Sequence, residues 1–197
     1  MAHNIISYSN KKTGNVPSFS LPPVVTCDNC KECMKHCYAL RMTKFHKSVG
    51  VCWKKNLELW QTNKKAVEYA IISSAMMSRY FRYFIGGDIV DVEFLDMMCK
   101  IAVICSHCKF LCFTKKYDMV NAYFNHFGMP SNLQIIFSCW GEQRPANPHN
   151  LPMSNVIFGK NVPSYGYMCG GNCVDCIHQG LGCWQLQKGE TVWFYKH

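Results

Sequence analysis

The sequence lacks most features that would assign it to a class directly. No uninterrupted apolar run approaches the roughly 20 residues of a membrane span; the best stretch, residues 66–77, is short and contains Glu68. No membrane association is therefore expected. The first residues, MAHNIISYSNKKTG, place their charges after the apolar positions and hold no h-region, so no secretory signal is expected there. The chain has no repeat, no low-complexity tract, no P-loop, no G-x-G-x-x-G and no Ser-His-Asp order. Acidic residues are scarce, 12 against 21 Lys and Arg, which leaves a formal charge of +9. At 49% hydrophobic residues the chain is too apolar for disorder, and its 197 residues suffice for one domain with a real core.

Cysteine, by contrast, is abundant at 14 residues. Without export, these are expected to be reduced thiols in a cytoplasmic setting, and thiols at this density usually bind metal. Residues 27–37 read Cys27-x2-Cys30-x2-Cys33-x3-Cys37. Spacers this short let several sulfurs fold around one centre. The pattern matches bacterial ferredoxin loops, with Tyr38 where the usual proline would stand. Residues 169–183 supply Cys169, Cys173, Cys176 and Cys183. There Gly170, Gly171, Gly180 and Gly182 give the backbone freedom to wrap and to donate N–H groups to sulfur.

All eight are candidate metal ligands. So many within so few residues suit an iron–sulfur cube better than tetrahedral zinc, and one or two [4Fe-4S] clusters are expected. Zinc shared between Cys30/Cys33 and Cys173/Cys176 is the alternative. Cys169-x3-Cys173-x2-Cys176 also has the three-cysteine spacing of radical S-adenosylmethionine enzymes, with Cys183 near enough to take the fourth position. Cys52, Cys99, Cys112 and Cys139 read as core, and Cys105 and Cys108 as outside candidates. His36 and His178 lie inside the two segments.

Charge is concentrated early. Residues 1–65 hold eleven basic and three acidic side chains, a balance of +8, against +1 for the remainder. A basic face of this kind attracts nucleic acid or an acidic redox partner. It also balances metal–thiolate sites, each about −2 when four thiolates hold the ion or cluster.

Patterning predicts an α/β fold in a single domain, residues 1–197. Residues 1–26 form an irregular lead-in, 27–37 the first cysteine loop, 38–160 a βα core, and 161–197 the second cysteine loop with a closing strand. Apolar spacings of three and four predict a helix from Tyr38 to about Trp60, kinked at Gly50, and another over 64–78 that buries Val67, Ala70, Ile71, Ser74 and Met77. Helices are also predicted over 92–105 and 117–127, with strands at 80–85, 110–114, 133–138, 155–158 and 191–195. Alternating strands and helices imply a mainly parallel sheet; about 200 residues cannot easily supply eight βα units, so a partial or open barrel is expected.

Sites in such sheets form at the carboxyl ends of strands. Here those ends carry Gly86-Gly87-Asp88, Thr114-Lys115-Lys116 and Ser138-Cys139-Trp140. Gly86, Gly87 and Asp88 are the candidate cofactor-binding residues, and Asp88 and Lys115 the candidate catalytic residues, with Lys115 suited to a carboxylate or phosphate of a small molecule. The alternative is that Asp88 caps the next helix and Lys115 is ordinary surface.

The chain resembles the bacteriophage gene-eighty-eight-product family of phage and bacterial genomes. The residues that carry the likeness are Leu21-Pro22, Thr26-Cys27, Cys33-x3-Cys37-Tyr38-Ala39-Leu40, Asn56-Leu57-Glu58-Leu59, Phe81-Arg82, Gly87-Asp88, Phe113-Thr114-Lys115 and Ser138-Cys139-Trp140. Others follow at Cys169-Gly-Gly-Asn172-Cys173, Gly182-Cys183-Trp184 and Gly189-Glu190. The resemblance implies a phage or bacterial origin and names no activity; Cys30 is an addition to the family's loop. More remotely, a cysteine loop leading to a helix and then a strand ending in Gly-Gly-acid is similar to the opening of a radical S-adenosylmethionine barrel. That likeness implies that Asp88 would meet the cofactor's amino group.

Overall fold

A computed structural model of the chain describes residues 4–8, 10–28, 30–159, 163–180 and 182–196. The boundary expected at 160–161 lies outside the described residues. The first strand, β1 (Ser18–Phe19), falls within the expected lead-in, which is therefore not wholly irregular. The first cysteine loop likewise contains a single helical turn, α1 (Lys31–Met34). Next come α2 (Tyr38–Phe45) and α3 (Lys47–Thr62). The predicted long helix thus breaks at His46, where φ is −122° and ψ is 84°, rather than kinking at Gly50 inside α3.

Two helices begin on well-formed caps. In α4 (Lys64–Met76) the Asn63 side chain accepts from the Ala66 N–H. In α5 (Val92–Ile104) Asp91 accepts from the Phe94 N–H, and Asp91 also holds the Trp60 indole N–H. Between them lies β2 (Tyr80–Tyr83), and after α5 come β3 (Lys109–Thr114), α6 (Tyr117–Phe127) and β4 (Leu133–Ser138). The chain then forms β5 (Met153–Ile157), the short β6 (Tyr167–Met168), α7 (Cys173–His178) and β7 (Thr191–Tyr195). Met77, expected to be buried, follows the last turn of α4 and is exposed.

The seven strands make one sheet in the order β1-β2-β3-β4-β5-β7-β6, with every pair parallel. The sheet is open and does not close into a barrel. Alternate strand residues divide its faces, as a period of two requires. One face, with Phe81, Tyr83, Phe110, Ile135 and Phe137, is buried under α4, α5 and α6. Cys99, Cys105, Cys108 and Cys112 are buried in that core, so Cys105 and Cys108 are core residues; Cys52 is only half-buried. The other face, with Leu111, Ile136 and Val192, packs against Val16, Trp184 and Leu186 and the flank of α7. The N-terminal lead-in and the C-terminal segment therefore share one side of the sheet. No helix among the described residues is long and apolar enough to cross a membrane.

Candidate functional site

At the carboxyl end of β2 the chain turns through Phe84-Ile85-Gly86-Gly87 before α5. A side chain at Gly86 would meet the Trp53 ring, its Cβ falling 2.3 Å from the indole. Gly87 has φ +82° and lies against the Leu21 backbone, where a Cβ would stand 2.7 Å from the carbonyl oxygen. This close packing delivers Asp88 to the interior, 4% exposed.

Asp88 does not cap a helix; Asp91 does that. Oδ1 of Asp88 accepts from the Thr114 hydroxyl at 2.6 Å and from its neighbour's N–H at Ile89, 2.8 Å. Oδ2 accepts from the Lys115 N–H at 2.8 Å. Burial pushes the Asp88 pKa up to about 6, against the opposing pull of those three donors. Lys115 is not ordinary surface either, at 8% exposed. Its ammonium donates to the Ser138 carbonyl at 2.6 Å and the Ser138 hydroxyl at 3.0 Å, and the Tyr117 hydroxyl donates to the same carbonyl. Asp88, Lys115 and Ser138 thus link the ends of three adjacent strands.

Above these ends lies a cavity of about 210 Å³. Gly86, Gly87, Asp88 and Lys115 line it, and so do all four thiols of the first loop, Cys27, Cys30, Cys33 and Cys37. The loop is held in place through Tyr38, whose hydroxyl donates to the Ile85 carbonyl, and through Cys37, whose sulfur accepts from the Leu40 N–H at 3.4 Å as the cap of α2. Burial, and next the charge of Asp88, push the Cys27 thiol up to about 12. Burial also raises Cys33, with Lys115 opposing it. His36 and Trp140 stack at 5.9 Å, joining the cysteine loop to the chain after β4.

The second set is placed differently. Asn172 caps α7 by accepting from the Val174 N–H, and the Cys173 N–H donates to the Lys12 carbonyl at 2.8 Å. Cys169, Cys173 and Cys183 pack against the apolar layer on the sheet's second face, and Cys176 is buried with its sulfur 3.0 Å from the Tyr167 hydroxyl. Burial pushes the Cys183 thiol up to about 12. All fourteen cysteines are unpaired. Among the described residues, no three His, Cys, Asp or Glu side chains stand together in a group ready to hold an ion. The thiols are gathered in two regions rather than converged on a point.

Between the two regions are residues that sequence reasoning did not single out as functional. Arg82 leaves β2 toward the second face, with Nη1 3.5 Å from Cys173 Sγ and its guanidinium carbon 5.2 Å from the Phe113 ring centre. Lys12 lies over the rings of Phe194 and Tyr38, at 4.9 Å and 5.6 Å. Burial, and then the like charge of Arg82, lower its pKa. Arg82 could have been noticed as the one charge in an aromatic strand; nothing in the sequence marks Lys12.

The Gene product 88 family matches residues 3–161, a span that includes the first cysteine loop, Asp88 and Lys115 and stops short of Cys169. The likeness noted at the C-terminal cysteines thus lies beyond the matched span. Neither a curated protein nor a solved structure matches the chain. The chain belongs to the Gene product 88 family.

Proposed function

We propose that this protein binds an iron–sulfur cluster through Cys27, Cys33 and Cys37, with Cys30 as a further thiol, beside a small-molecule cavity at the strand ends. The observation that carries this reading is that all four thiols line one cavity with Gly86, Gly87, Asp88 and Lys115. Four soft sulfur donors on a short loop fit a [4Fe-4S] cluster, which would supply one-electron chemistry at that position. Cys169, Cys173, Cys176 and Cys183 would hold a second cluster or complete a shared one. Supporting that link, Tyr38 lies within electrostatic reach of Cys27, Cys37 and Cys173.

In the finer form of this reading the open sheet is a partial barrel and the cavity takes S-adenosylmethionine. Of the roughly four acceptor positions of a carboxylate, Asp88 uses three within the fold. One remains for a ligand's amino group. Electron transfer to an acidic partner is the plainer form, using the basic face of α2 and α3.

A second reading, a zinc-stabilised nucleic-acid-binding module, draws on that same face, where Arg41, Lys44, Lys47, Lys54 and Lys55 are exposed. Anaerobic purification followed by absorbance, iron, sulfide and zinc analysis separates the two. The first reading expects a brown protein with iron and sulfide in similar amounts. A colourless zinc protein whose affinity for DNA or RNA falls steeply with salt would overturn it. Incubation with reductant and S-adenosylmethionine tests the finer form, which expects deoxyadenosine; its absence leaves the carrier form.

A further inference from the structure

Arg82 is only 6% exposed, and its Nε is shut off from solvent with no hydrogen-bond partner. Among the described residues no carboxylate forms an ion pair with Arg82 or with Lys12. A buried cation without a counter-charge is costly, and native folds rarely keep one without a use for it. Both cations line the strand-end cavity, whose wall carries Lys12, Arg82, Lys115 and Lys196 against the single acid Asp88. Lys115 is already engaged by Ser138. The shortage of negative charge therefore falls at Lys12 and Arg82.

We propose that Arg82 and Lys12 form an oxyanion-binding pole of the cavity, taking the carboxylate or phosphate group of a small ligand. A guanidinium presents paired N–H donors that match either group, and an adjacent ammonium adds a second charge. The neighbouring thiols do not meet this need. Cys173 offers Arg82 one sulfur, a weak acceptor, at 3.5 Å. Among the described residues Arg82 Nε is left with no acceptor at all. The ligand would thus lie with its anionic group toward Arg82 and the rest of its body toward Asp88 and Lys115. The proposal rests on the reading of this cavity as a ligand site; it does not depend on the cluster.

The test is calorimetric titration of the metal-free 197-residue chain with inorganic phosphate and, separately, with succinate, each against sodium chloride at matched ionic strength. Binding of either oxyanion above the chloride control is expected, and which one binds names the group. Arg82→Lys, which keeps the charge and loses the fork, is expected to weaken binding about tenfold. Lys12→Met, at a half-buried position resting on two aromatic rings, is expected to weaken it at least as much. Circular dichroism verifies that both variants are folded. Failure of both oxyanions to bind the wild-type chain overturns the proposal, as does unchanged binding by both folded variants. Iron content is measured on separately loaded protein, so a missing cluster and a missing anion pole are distinguishable results.

Discussion

The N-terminal and C-terminal cysteine segments carry four thiols each at similar spacing, but the fold gives them different neighbours. Cys27, Cys30, Cys33 and Cys37 line a cavity over the strand ends, next to a buried carboxylate and a buried ammonium. Cys169, Cys173 and Cys183 pack against the apolar layer that closes one sheet face, and Cys176 is buried beneath a tyrosine hydroxyl. The first loop is within the span shared with the family; the second is not. Spacing alone makes both segments metal candidates. Their surroundings differ: the first set lines a cavity, and the second lies against the apolar layer of the sheet.

The largest effect should come from the proposed ligands. Cys33→Ser with Cys37→Ser is expected to remove the iron bound at the cavity, read as lost iron, sulfide and visible absorbance. The metal-free variant should melt with the metal-free wild type, because serine at position 37 still caps α2. Cys173→Ser with Cys176→Ser is expected to lower the melting temperature of the metal-free chain as well, since a hydroxyl replaces the buried sulfur of Cys176. Identical behaviour of the two pairs would break the comparison.

Glycines sharpen it further. Gly86→Ala drives a methyl group into the Trp53 ring and should cost about 3 kcal/mol, the upper range for overpacking. Gly170, beside Cys169, has open space where a Cβ would go, and its alanine variant should stay within about 0.5 kcal/mol. Urea denaturation measures both; a large cost at Gly170 would show that the C-terminal loop is packed as tightly as the β2 turn.

Much of this was legible in the sequence, for definite reasons. The strands β2, β3, β4 and β7 are runs of aromatic and branched residues, and the strand-end rule then pointed to Asp88 and Lys115, which the fold buries beside the strand-end cavity. The two-residue strands β1 and β6 are too short to leave a period. The break at His46 was hidden because the apolar spacing continues through it, while Gly50, the visible breaker, is tolerated inside α3. The anionic shortage at Arg82 and Lys12 was invisible for another reason. It exists because the fold brings together two residues seventy positions apart with, among the described residues, no carboxylate paired to either.

Among the described residues the one buried acid, Asp88, lies on the cavity side, and its titration is the next effect in size. The folded-state pKa of Asp88 is about 6, raised from 3.8. The native chain therefore holds that proton more tightly than the unfolded chain. The contribution is present below pH 4 and is lost as pH rises through 6, by no more than about 3 kcal/mol. The stability of the wild type minus that of Asp88→Asn should fall across this window in urea denaturation at pH 4, 5, 6 and 7. A difference independent of pH would show that Asp88 is ionised throughout.

The smallest expected effects compare two tyrosines, one beside each cysteine segment. Tyr38 donates to the Ile85 carbonyl, so Tyr38→Phe leaves a polar backbone group in the β2 turn short of a donor and should cost about 1 kcal/mol. Among the described residues the Tyr167 hydroxyl has the Cys176 sulfur as its hydrogen-bond partner, and sulfur is a weak partner. Tyr167→Phe should therefore cost about 0.5 kcal/mol in the metal-free chain. The order matters more than either value. A larger loss at Tyr167 would mean that the contact with Cys176 is charge-assisted, with that sulfur a thiolate even in the metal-free chain.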